Sequence, residues 1–484
     1  MPARFYSLLS SLAILASPLS AAPPPKPGQS KPNLVFIIAD DCTYLDMEVY
    51  GGQARTPTLN KLAKEGLTFN RCFQTAPMCS PTRHNIYTGL YPVRSGAWPN
   101  HTRVYPGTKS VAHYLRQAGY RVALSGKTHV SPRESFPFEY SDDFRRDGPG
   151  TAPLFANLRK LLTECQDSDT PFCLFACSNE PHTPYTKGDA SAYPPASLKL
   201  PPSFVDTPET RESFSKYLAE ITYYDWQCGA LLDLLDEFKL RDNTMVIVVS
   251  EQGSAFPFAK WTCFELGLAS GMIVRWPGVV GAGTTSDALV EYVDVTPTLL
   301  EAAGVNAKPL KLDGRSFLPV LLGRTTEHKT YTYGLHTTRG IINGSDAFGI
   351  RSCGTKQHRY IRNLHPDTLF TNAVTRKGGD GKAAFWNSWQ EKAATGNTHA
   401  RAMVSKYQQR PPEELYDVVK DPHCLVNLIN DPKLVEKRRE LSSQLDAWMK
   451  SQGDKGAATE ENAHTRQGKA RTNRKPQDKG KKKR

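Results

Sequence analysis

Asn33-Leu34-Val35-Phe36-Ile37-Ile38-Ala39 runs directly into Asp40-Asp41, and this stretch decides the fold. From Leu34 onward the run is apolar without any polar alternation, which predicts a strand buried on both faces, as in a parallel sheet. Ligands of open α/β sheets gather at the carboxyl ends of such strands. We therefore expect an α/β protein whose functional site includes two carboxylates at the end of this strand.

Three further apolar runs end in polar clusters in the same way. They are residues 120–124 before Gly126-Lys127-Thr128-His129, residues 172–177 before Asn179-Glu180-Pro181-His182, and residues 244–249 before Ser250-Glu251-Gln252. Segments with helical spacing lie between these runs, at residues 58–66, 110–119 and 214–238. The alternation predicts a mixed α/β sheet with helices on both faces.

The pattern changes after about residue 323. Short strand-like segments at residues 330–335, 340–342, 348–352 and 359–363 predict a smaller antiparallel sheet, and residues 432–449 predict a helix that packs on it. Residues 377–402 are polar with little periodicity, so we expect a long loop there. The predicted folded units are a catalytic α/β domain at residues 31–325 and a C-terminal α+β subdomain at residues 326–452.

The first 22 residues have the pattern of a secretory signal peptide. Arg4 precedes an apolar run at residues 8–15, and the small residues Ser20-Ala21-Ala22 follow it. The proline-rich residues 23–30 indicate a linker into the mature chain. No later stretch is long and apolar enough to predict a membrane span. We therefore expect a secreted or periplasmic protein, or a lysosomal one if the source is an animal.

The formal net charge of +13 is concentrated at the end of the chain. Residues 466–484 contain ten Lys or Arg residues and a single acidic residue, Asp478. Because apolar periodicity is missing, residues 453–484 are predicted to form a disordered basic tail. Such a tail is either a solvated end or an anchor for polyanions such as acidic polysaccharides. Nucleic acid is not an expected partner of an exported protein.

Met78-Cys79-Ser80-Pro81-Thr82-Arg83 carries the pattern C-x-P-x-R. Pro81 suits the first turn of a helix, because a proline has no N–H to leave unpaired there. Cys79 then lies just outside the helix start, where backbone N–H groups and the helix dipole favour negative charge. Arg83 can turn its guanidinium back toward an anion at that point. Taken alone, the pattern fits a buried cysteine before a helix equally well.

Together with Ile86-Tyr87-Thr88-Gly89, this motif resembles the signature of the type I, formylglycine-dependent sulfatases of the alkaline phosphatase superfamily. The resemblance implies a large mixed sheet sandwiched by helices. It also implies that a formylglycine-generating enzyme or an anaerobic sulfatase-maturing enzyme oxidises Cys79 to formylglycine (3-oxoalanine), whose hydrate is the nucleophile. Thr82 departs from the family, which usually has Ser or Ala there.

Two pairs of oxygen-bearing residues predict a metal site. Asp40 and Asp41 cannot both be buried without a cation, and Glu251-Gln252 follows another strand. Such oxygen donors suit Ca²⁺ or Mg²⁺ better than zinc. For Asp40-Asp41 alone, a solvated turn is the alternative. The resemblance implies that Asp40, Asp41, Cys79, Glu251 and Gln252 hold the ion, although the family usually has Asp-Asn or Asp-His where this chain has Glu251-Gln252.

The remaining catalytic residues are also assigned through the resemblance. Lys127 and Lys260 correspond to the lysines that bind the sulfate group, and Arg83 corresponds to the arginine of the signature. His129 corresponds to the histidine that holds the formylglycine hydrate, and His182 to the one that faces the leaving group. Within the family, residues 126–140 look most similar to the heparan N-sulfatase (sulfamidase) branch.

The sequence therefore predicts an exported sulfatase that hydrolyses sulfate esters or sulfamates of sulfated carbohydrates such as glycosaminoglycans. One alternative is a phosphate mono- or diesterase of the same superfamily, because phosphate and sulfate esters share shape and charge. Another is a catalytically silent protein that binds sulfated glycans. Against the silent protein, every expected charged catalytic position is filled.

Overall fold

The computed structural model describes residues 31–145, 155–376 and 384–467. The predicted signal peptide, most of the linker and residues 468–484 of the predicted tail lie outside the described residues. Among the helices in the described part of the chain, none is long and apolar enough to cross a membrane.

A large mixed sheet of nine strands lies at the centre of the described residues, with the order β4-β3-β5-β1-β6-β7-β2-β8 and β9 paired to β2. Its strands are β1 (Asn33–Ile38), β2 (Leu67–Phe73), β3 (Arg121–Gly126), β4 (Glu139–Ser141), β5 (Phe172–Cys177), β6 (Thr244–Val249), β7 (Ala269–Arg275), β8 (Thr284–Ser286) and β9 (Val290–Glu291). Only β7 runs antiparallel to its neighbours β6 and β2 in this described sheet. The predicted mixed α/β fold is confirmed.

The opening apolar run becomes the middle strand of this arrangement. β1 pairs in parallel with β5 on one side and with β6 on the other, and all six of its residues are buried. Val35 and Ile37 belong to the hydrophobic core on one face of the sheet, whereas Leu34 and Phe36 belong to the core on the opposite face. Burial on both faces explains why the run shows no polar alternation.

Helices cover both faces of the sheet. They are α1 (Pro57–Glu65), α2 (Cys79–Thr88), α3 (Pro92–Ser95), α4 (Val111–Gln117), α5 (Ala156–Asp167), α6 (Pro208–Glu237), α7 (Glu265–Leu268), α8 (Val295–Ala302) and α9 (Leu318–Leu321). The long helix α6 begins six residues before its predicted start. Pro208 occupies its first turn, and the side chain of Thr207 caps it by accepting a hydrogen bond from the Thr210 N–H.

The C-terminal part contains the predicted smaller antiparallel sheet, with the order β10-β11-β12-β13. Its strands are β10 (Thr332–Thr337), β11 (Gly349–Gly354), β12 (His358–Asn363) and β13 (Glu413–Asp417), and the helices after β12 are α10 (Ala384–Ala394), α11 (Thr398–Gln408), α12 (Val435–Gln452) and α13 (Ala457–Glu461). Residues 340–342, which were predicted to be a strand, form a turn instead. Gly340 has φ +79°, which ends the extended conformation after β10.

The predicted long loop at residues 377–402 is wrong for its described residues, because α10 and the start of α11 occupy them. Trp386 and Trp389 are fully buried, and the Trp389 indole donates a hydrogen bond to the Thr210 hydroxyl of α6 over 2.7 Å. Asn397 caps α11 by accepting from the Ala400 N–H. Packing of these buried aromatic side chains stabilises α10 as a helix, although many of the residues around them are polar.

The predicted disordered tail is also wrong for residues 453–467. This segment contains α13 and a 3₁₀ helix, Asn462–Arg466. Asp454 and Glu460 both contact the guanidinium of Arg351 in β11, at 2.5 and 2.7 Å, and all three side chains are buried. An unpaired buried arginine is costly, so this contact fixes the segment to the small sheet.

Candidate active site

The ends of β1 and β5 meet at one edge of the large sheet. Asp40 and Asp41 follow β1 directly and are each 1% exposed. The Asp40 N–H donates to the carbonyl of Glu180, which follows β5, over 2.9 Å. Asp41 has φ +62°, an unusual conformation for a non-glycine residue that tends to occur at functional sites. The two carboxylates are therefore held in the fold by backbone contacts between neighbouring strand ends.

Cys79 is the first residue of α2, two residues earlier than the predicted helix start at Pro81. It is 4% exposed, and its Sγ lies 3.3 Å from Lys260 Nζ, 3.4 Å from Gln252 Nε2 and 3.5 Å from Asp40 Oδ1. Burial raises the pKa of the Cys79 thiol, and the nearby Asp40 carboxylate raises it further. The unmodified thiol is therefore neutral and a poor nucleophile here.

Four acidic or sulfur ligand atoms converge at this point. One atom each from Asp40, Asp41, Cys79 and Glu251 lies within 4.8 Å of all the others, and the four residues are buried. Gln252 lies beside them, with Nε2 2.6 Å from Asp41 Oδ1. Its Oε1 is buried without a hydrogen-bond partner among the described residues. The amide could present either atom to this cluster.

Each carboxylate of the cluster contacts one cationic side chain. Lys127 Nζ contacts Asp40, and Lys260 Nζ lies 2.5 and 2.6 Å from the two carboxylate oxygens of Asp41. Arg83 Nε lies 2.5 Å from Glu251 Oε1, although the two groups are not aligned as a hydrogen bond. Arg83 also donates through Nη1 to the carbonyl of Lys127 over 3.1 Å.

The pKa values show that the neighbouring charges offset the effect of burial to different extents at these ion pairs. Burial acts to raise the pKa of Asp40, but Lys127 and, after it, His182, Glu251 and Arg83 together hold that pKa well below its usual range. Burial raises the pKa of Glu251 to about 8 because the Arg83 charge opposes it only in part and the Asp40 carboxylate adds to it. Burial opposes protonation of Lys127, but the Asp40 carboxylate raises its pKa to about 12.

Two predicted histidines lie beside the carboxylate cluster. His182 Nε2 lies 3.5 Å from Asp41 Oδ2, while its Nδ1 is 2.7 Å from the carbonyl of Thr183 and can donate to it. Burial lowers the pKa of His182, against the opposing effect of the Asp41 carboxylate. His129 Nε2 lies 2.9 Å from His101 Nδ1. Burial and the nearby Lys127 charge lower the pKa of His129 well below its ordinary value.

All ten predicted site residues come together around one cleft of about 780 Å³. Seven of them line it: Asp40, Asp41, Cys79, Lys127, His129, His182 and Lys260. The other three, Arg83, Glu251 and Gln252, are fully buried next to Cys79 and Asp41.

Sequence reasoning missed several residues that also line the cleft. They are Asn100, His101, Asn179, Glu180, Trp261, Ile341, Ile342 and Ala373, among others. Asn179, Glu180 and Trp261 adjoin predicted site residues in the chain, which is a signal that could have identified them. The remaining ones lie in loops, outside the strand ends at which the sequence predicted the site, and Ile342 is 68% exposed at the cleft. Only the tertiary structure brings those loops to the site.

Comparison with known proteins gives consistent matches. The sequence profile of the family described as "Sulfatase" matches residues 32–305, and that described as "N-sulphoglucosamine sulphohydrolase, C-terminal" matches residues 253–371. An ulvan-active sulfatase of Formosa agariphila is 32% identical over 434 residues, covering 88% of this chain and 81% of the relative. Human N-sulphoglucosamine sulphohydrolase is 25% identical, covering 86% and 89%.

A solved structure has the same fold. It is a protein in complex with its substrate D-glucosamine-2-N,6-O-disulfate, with a TM-score of 0.65 and 19% identity. The match covers 88% of this chain and 99% of that one.

Proposed function

The chain belongs to the sulfatase family and is a sulfuric ester hydrolase, and on that premise we propose that it removes sulfate from sulfated carbohydrates through a formylglycine at position 79 and a divalent cation. The observation that carries this proposal is the position of Cys79. Its side chain lies at the start of α2, on the floor of the cleft, within hydrogen-bonding reach of both a carboxylate and Lys260. A cysteine with only a packing role would not need these charged neighbours.

The donor set fits a hard divalent cation. Asp40, Asp41, Glu251 and Gln252 offer oxygen atoms, and residue 79 offers the fifth ligand. Two features would favour a cation there: burial raises the pKa of Glu251 to about 8 because the Arg83 charge offsets it only in part, and the buried Oε1 of Gln252 has no hydrogen-bond partner among the described residues. We therefore propose that these five residues hold Ca²⁺ or Mg²⁺. A bound cation would supply positive charge that stabilises the oxygens of the sulfuryl group during its transfer.

The conversion of Cys79 to formylglycine is proposed to occur before folding. The residue is 4% exposed, so an external enzyme could not reach its sulfur in the folded chain. Either a formylglycine-generating enzyme or an anaerobic sulfatase-maturing enzyme would serve. The buried Arg83 lies one turn further along α2 and contributes a fixed positive charge behind the matured residue.

The remaining residues have proposed roles that follow from their positions. Lys127 and Lys260 line the same cleft as Cys79 and would bind the negative oxygens of the sulfuryl group. His182 has Nε2 directed toward Asp41 and would protonate the departing oxygen or nitrogen. His129 would take up the proton that is released when sulfate leaves residue 79.

The cleft supports a carbohydrate substrate. Its walls combine polar groups such as Asn179 and Glu180 with the apolar side chains of Trp261 and Ile341. Hydroxyl groups of a sugar can bond to the polar groups while its apolar faces pack on the others. The named relatives act on ulvan or on N-sulphoglucosamine. We propose a sulfated polysaccharide or glycosaminoglycan fragment, carrying either an O-sulfate or an N-sulfate.

We also propose that the protein is exported to the periplasm or the exterior. The pattern of its first 22 residues supports this. Residues 31–325 would form the catalytic domain and residues 326–452 the C-terminal subdomain. Because Ile341, Ile342 and Ala373 line the cleft, the subdomain would contribute residues to the substrate site.

The proposal is tested by mass spectrometry and by turnover. The chain is produced together with a formylglycine-generating enzyme, and the tryptic peptide that contains residue 79 is weighed. Release of inorganic sulfate is then measured from glucosamine N-sulfate and O-sulfated disaccharides, and release of phosphate from matched phosphate esters. Cys79→Ala is the control. We expect formylglycine and metal-dependent sulfate release in the wild type alone. A fully active enzyme with an unmodified Cys79 would refute formylglycine as the nucleophile. Faster release of phosphate than of sulfate would refute a sulfated substrate.

A further inference from the structure

His101 and His129 form a pair at the edge of the cleft. His101 Nδ1 lies 2.9 Å from His129 Nε2, and the centres of the two rings are 4.9 Å apart. Both residues have a left-handed backbone, with φ +53° and +47°. Such a conformation costs free energy in a non-glycine residue, and two adjacent cases indicate that the surrounding structure imposes this contact.

The loop that carries His101, residues 96–105, is held by the end of the described chain. Arg466 donates through Nε to the carbonyl of Gly96 over 2.9 Å and through Nη2 to that of Arg103 over 2.8 Å. Its guanidinium lies 4.2 Å from the centre of the Tyr105 ring. Thr102, the neighbour of His101, donates its hydroxyl to the carbonyl of Arg466 over 3.1 Å.

A third segment closes this arrangement. The N–H of Asn100 donates to the carbonyl of Arg339 over 3.3 Å, and the Asn100 side chain donates to that of Gly340. A Cβ atom on Gly340 would lie 2.4 Å from the Gln467 side chain and 2.5 Å from the carbonyl oxygen of Asn100. Three segments that are far apart in sequence therefore meet at Asn100, the neighbour of His101, and leave no room for a side chain at position 340.

We propose that His101 is a positioning residue for His129, and that Arg466 holds the loop that presents it. A hydrogen bond between two neutral imidazoles needs one proton between the nitrogens, so the contact selects a tautomer. We assign the donor role to His129: its Nε2–H donates to His101 Nδ1, which leaves the lone pair of His129 on Nδ1. In this tautomer His129 takes up a proton at Nδ1 and not at Nε2. This inference rests on the proposed function, in which His129 is the proton acceptor.

Turnover of four variants tests the assignment. His101→Ala should lower kcat about 10- to 100-fold, as expected for the loss of a residue that orients a functional histidine, and should change KM by less than about threefold. His101→Asn places an oxygen near the position of Nδ1 and should restore most of kcat. Arg466→Ala should lower kcat up to about 10-fold. Arg439→Ala, which removes an exposed arginine from α12, is the matched control and should have no effect.

A double variant separates a shared pathway from two independent defects. If Arg466 acts through His101, His101→Ala/Arg466→Ala should be no slower than His101→Ala alone. An additive loss would overturn the role of Arg466. An unchanged kcat in His101→Ala, or a change in KM only, would overturn the positioning role and indicate a substrate contact.

Imidazole ¹⁵N NMR tests the tautomer without turnover. In the wild type, His129 should carry its proton on Nε2, and in His101→Ala it should become a mixture of both tautomers. A proton on Nδ1 of His129 in the wild type would overturn the inference. If the wild type released no sulfate but showed the expected tautomer, the proposed function would fail while the contact with His101 stood.

Discussion

Glu251 offers the sharpest test of the proposed metal site, because the family usually has aspartate there. Its side chain is fully buried and contacts both the Arg83 guanidinium and the Gln252 amide. Glu251→Gln keeps the shape and removes the charge. Glu251→Asp keeps the charge and withdraws it by about one bond, ~1.5 Å. The two variants therefore separate the requirement for charge from the requirement for reach.

The structure gives the size of the expected effects. Burial raises the pKa of Glu251 to about 8, so the effects are worked out for a pH above that value, where the carboxylate is charged. With an effective dielectric constant of about 20, the attraction between Arg83 and the Glu251 carboxylate is then roughly 6.6 kcal/mol at the observed 2.5 Å and roughly 4.2 kcal/mol at about 4 Å. Glu251→Asp should thus lose up to about 2.4 kcal/mol of stability. Glu251→Gln leaves Arg83 buried without a counter-charge, which typically costs about 3–5 kcal/mol.

Thermal unfolding with and without Ca²⁺ is the assay. A ligand at about 100 times its Kd stabilises the folded wild type by about 2.7 kcal/mol, which raises its melting temperature. This increment should shrink in Glu251→Asp and vanish in Glu251→Gln, together with sulfate release. Glu414→Gln is the matched control, because Glu414 is also buried, 2.5 Å from Arg410, but lies in the small sheet. Glu414→Gln should lose stability but keep the full rise in melting temperature that Ca²⁺ causes. If Glu251→Gln also kept that full rise, Glu251 would not be a ligand of the cation.

Three further predictions follow from the described contacts. Cys79→Ala should abolish sulfate release and leave the far-UV circular dichroism spectrum unchanged, and near wild-type turnover would contradict the mechanism. Deleting residues 468–484 should leave turnover of a small aryl sulfate unchanged, because Arg466 and Gln467 supply the last described contacts with the cleft loops, and a large loss would show that the deleted residues support the site. Trp386→Ala should destabilise the protein by about 3–5 kcal/mol in urea unfolding through the loss of a fully buried ring, whereas a cost below 1 kcal/mol would show that α10 is dispensable.

The edge of the large sheet was predictable because it follows from a general property of parallel strands. β1 lies between β5 and β6, so the residues that follow these three strands must meet at one edge. Asp40 and Glu251 each lie two residues after the end of their strand, and His182 lies five residues after the end of β5. Apolar runs therefore located the carboxylates and one histidine before any tertiary contact was known.

The far side of the cleft was not predictable in this way. Ile341 and Ala373 belong to loops of the C-terminal part of the chain, and no local pattern marks a loop that will approach residues far away in the sequence. The hydrogen bonds of Arg466 could not be predicted either. Its side chain donates to the backbone carbonyls of Gly96 and Arg103, and every residue type has such a carbonyl. α10 was missed because two tryptophans anchor it, while the prediction weighed its polar residues.

The pairing of charges at the site connects its two proposed ligands. Lys127 and Lys260, the residues proposed to bind the sulfuryl oxygens, contact Asp40 and Asp41, the residues proposed to bind the cation. A cation that takes over the carboxylates would release both ammonium groups toward the cleft, where an anion could bind them. Each ligand therefore removes part of the cost of binding the other, and linkage makes that effect reciprocal. Before either ligand binds, the same ion pairs offset the cost of burying the carboxylates of Asp40 and Asp41. The two lysines therefore stabilise the fold in addition to their proposed role in binding sulfate.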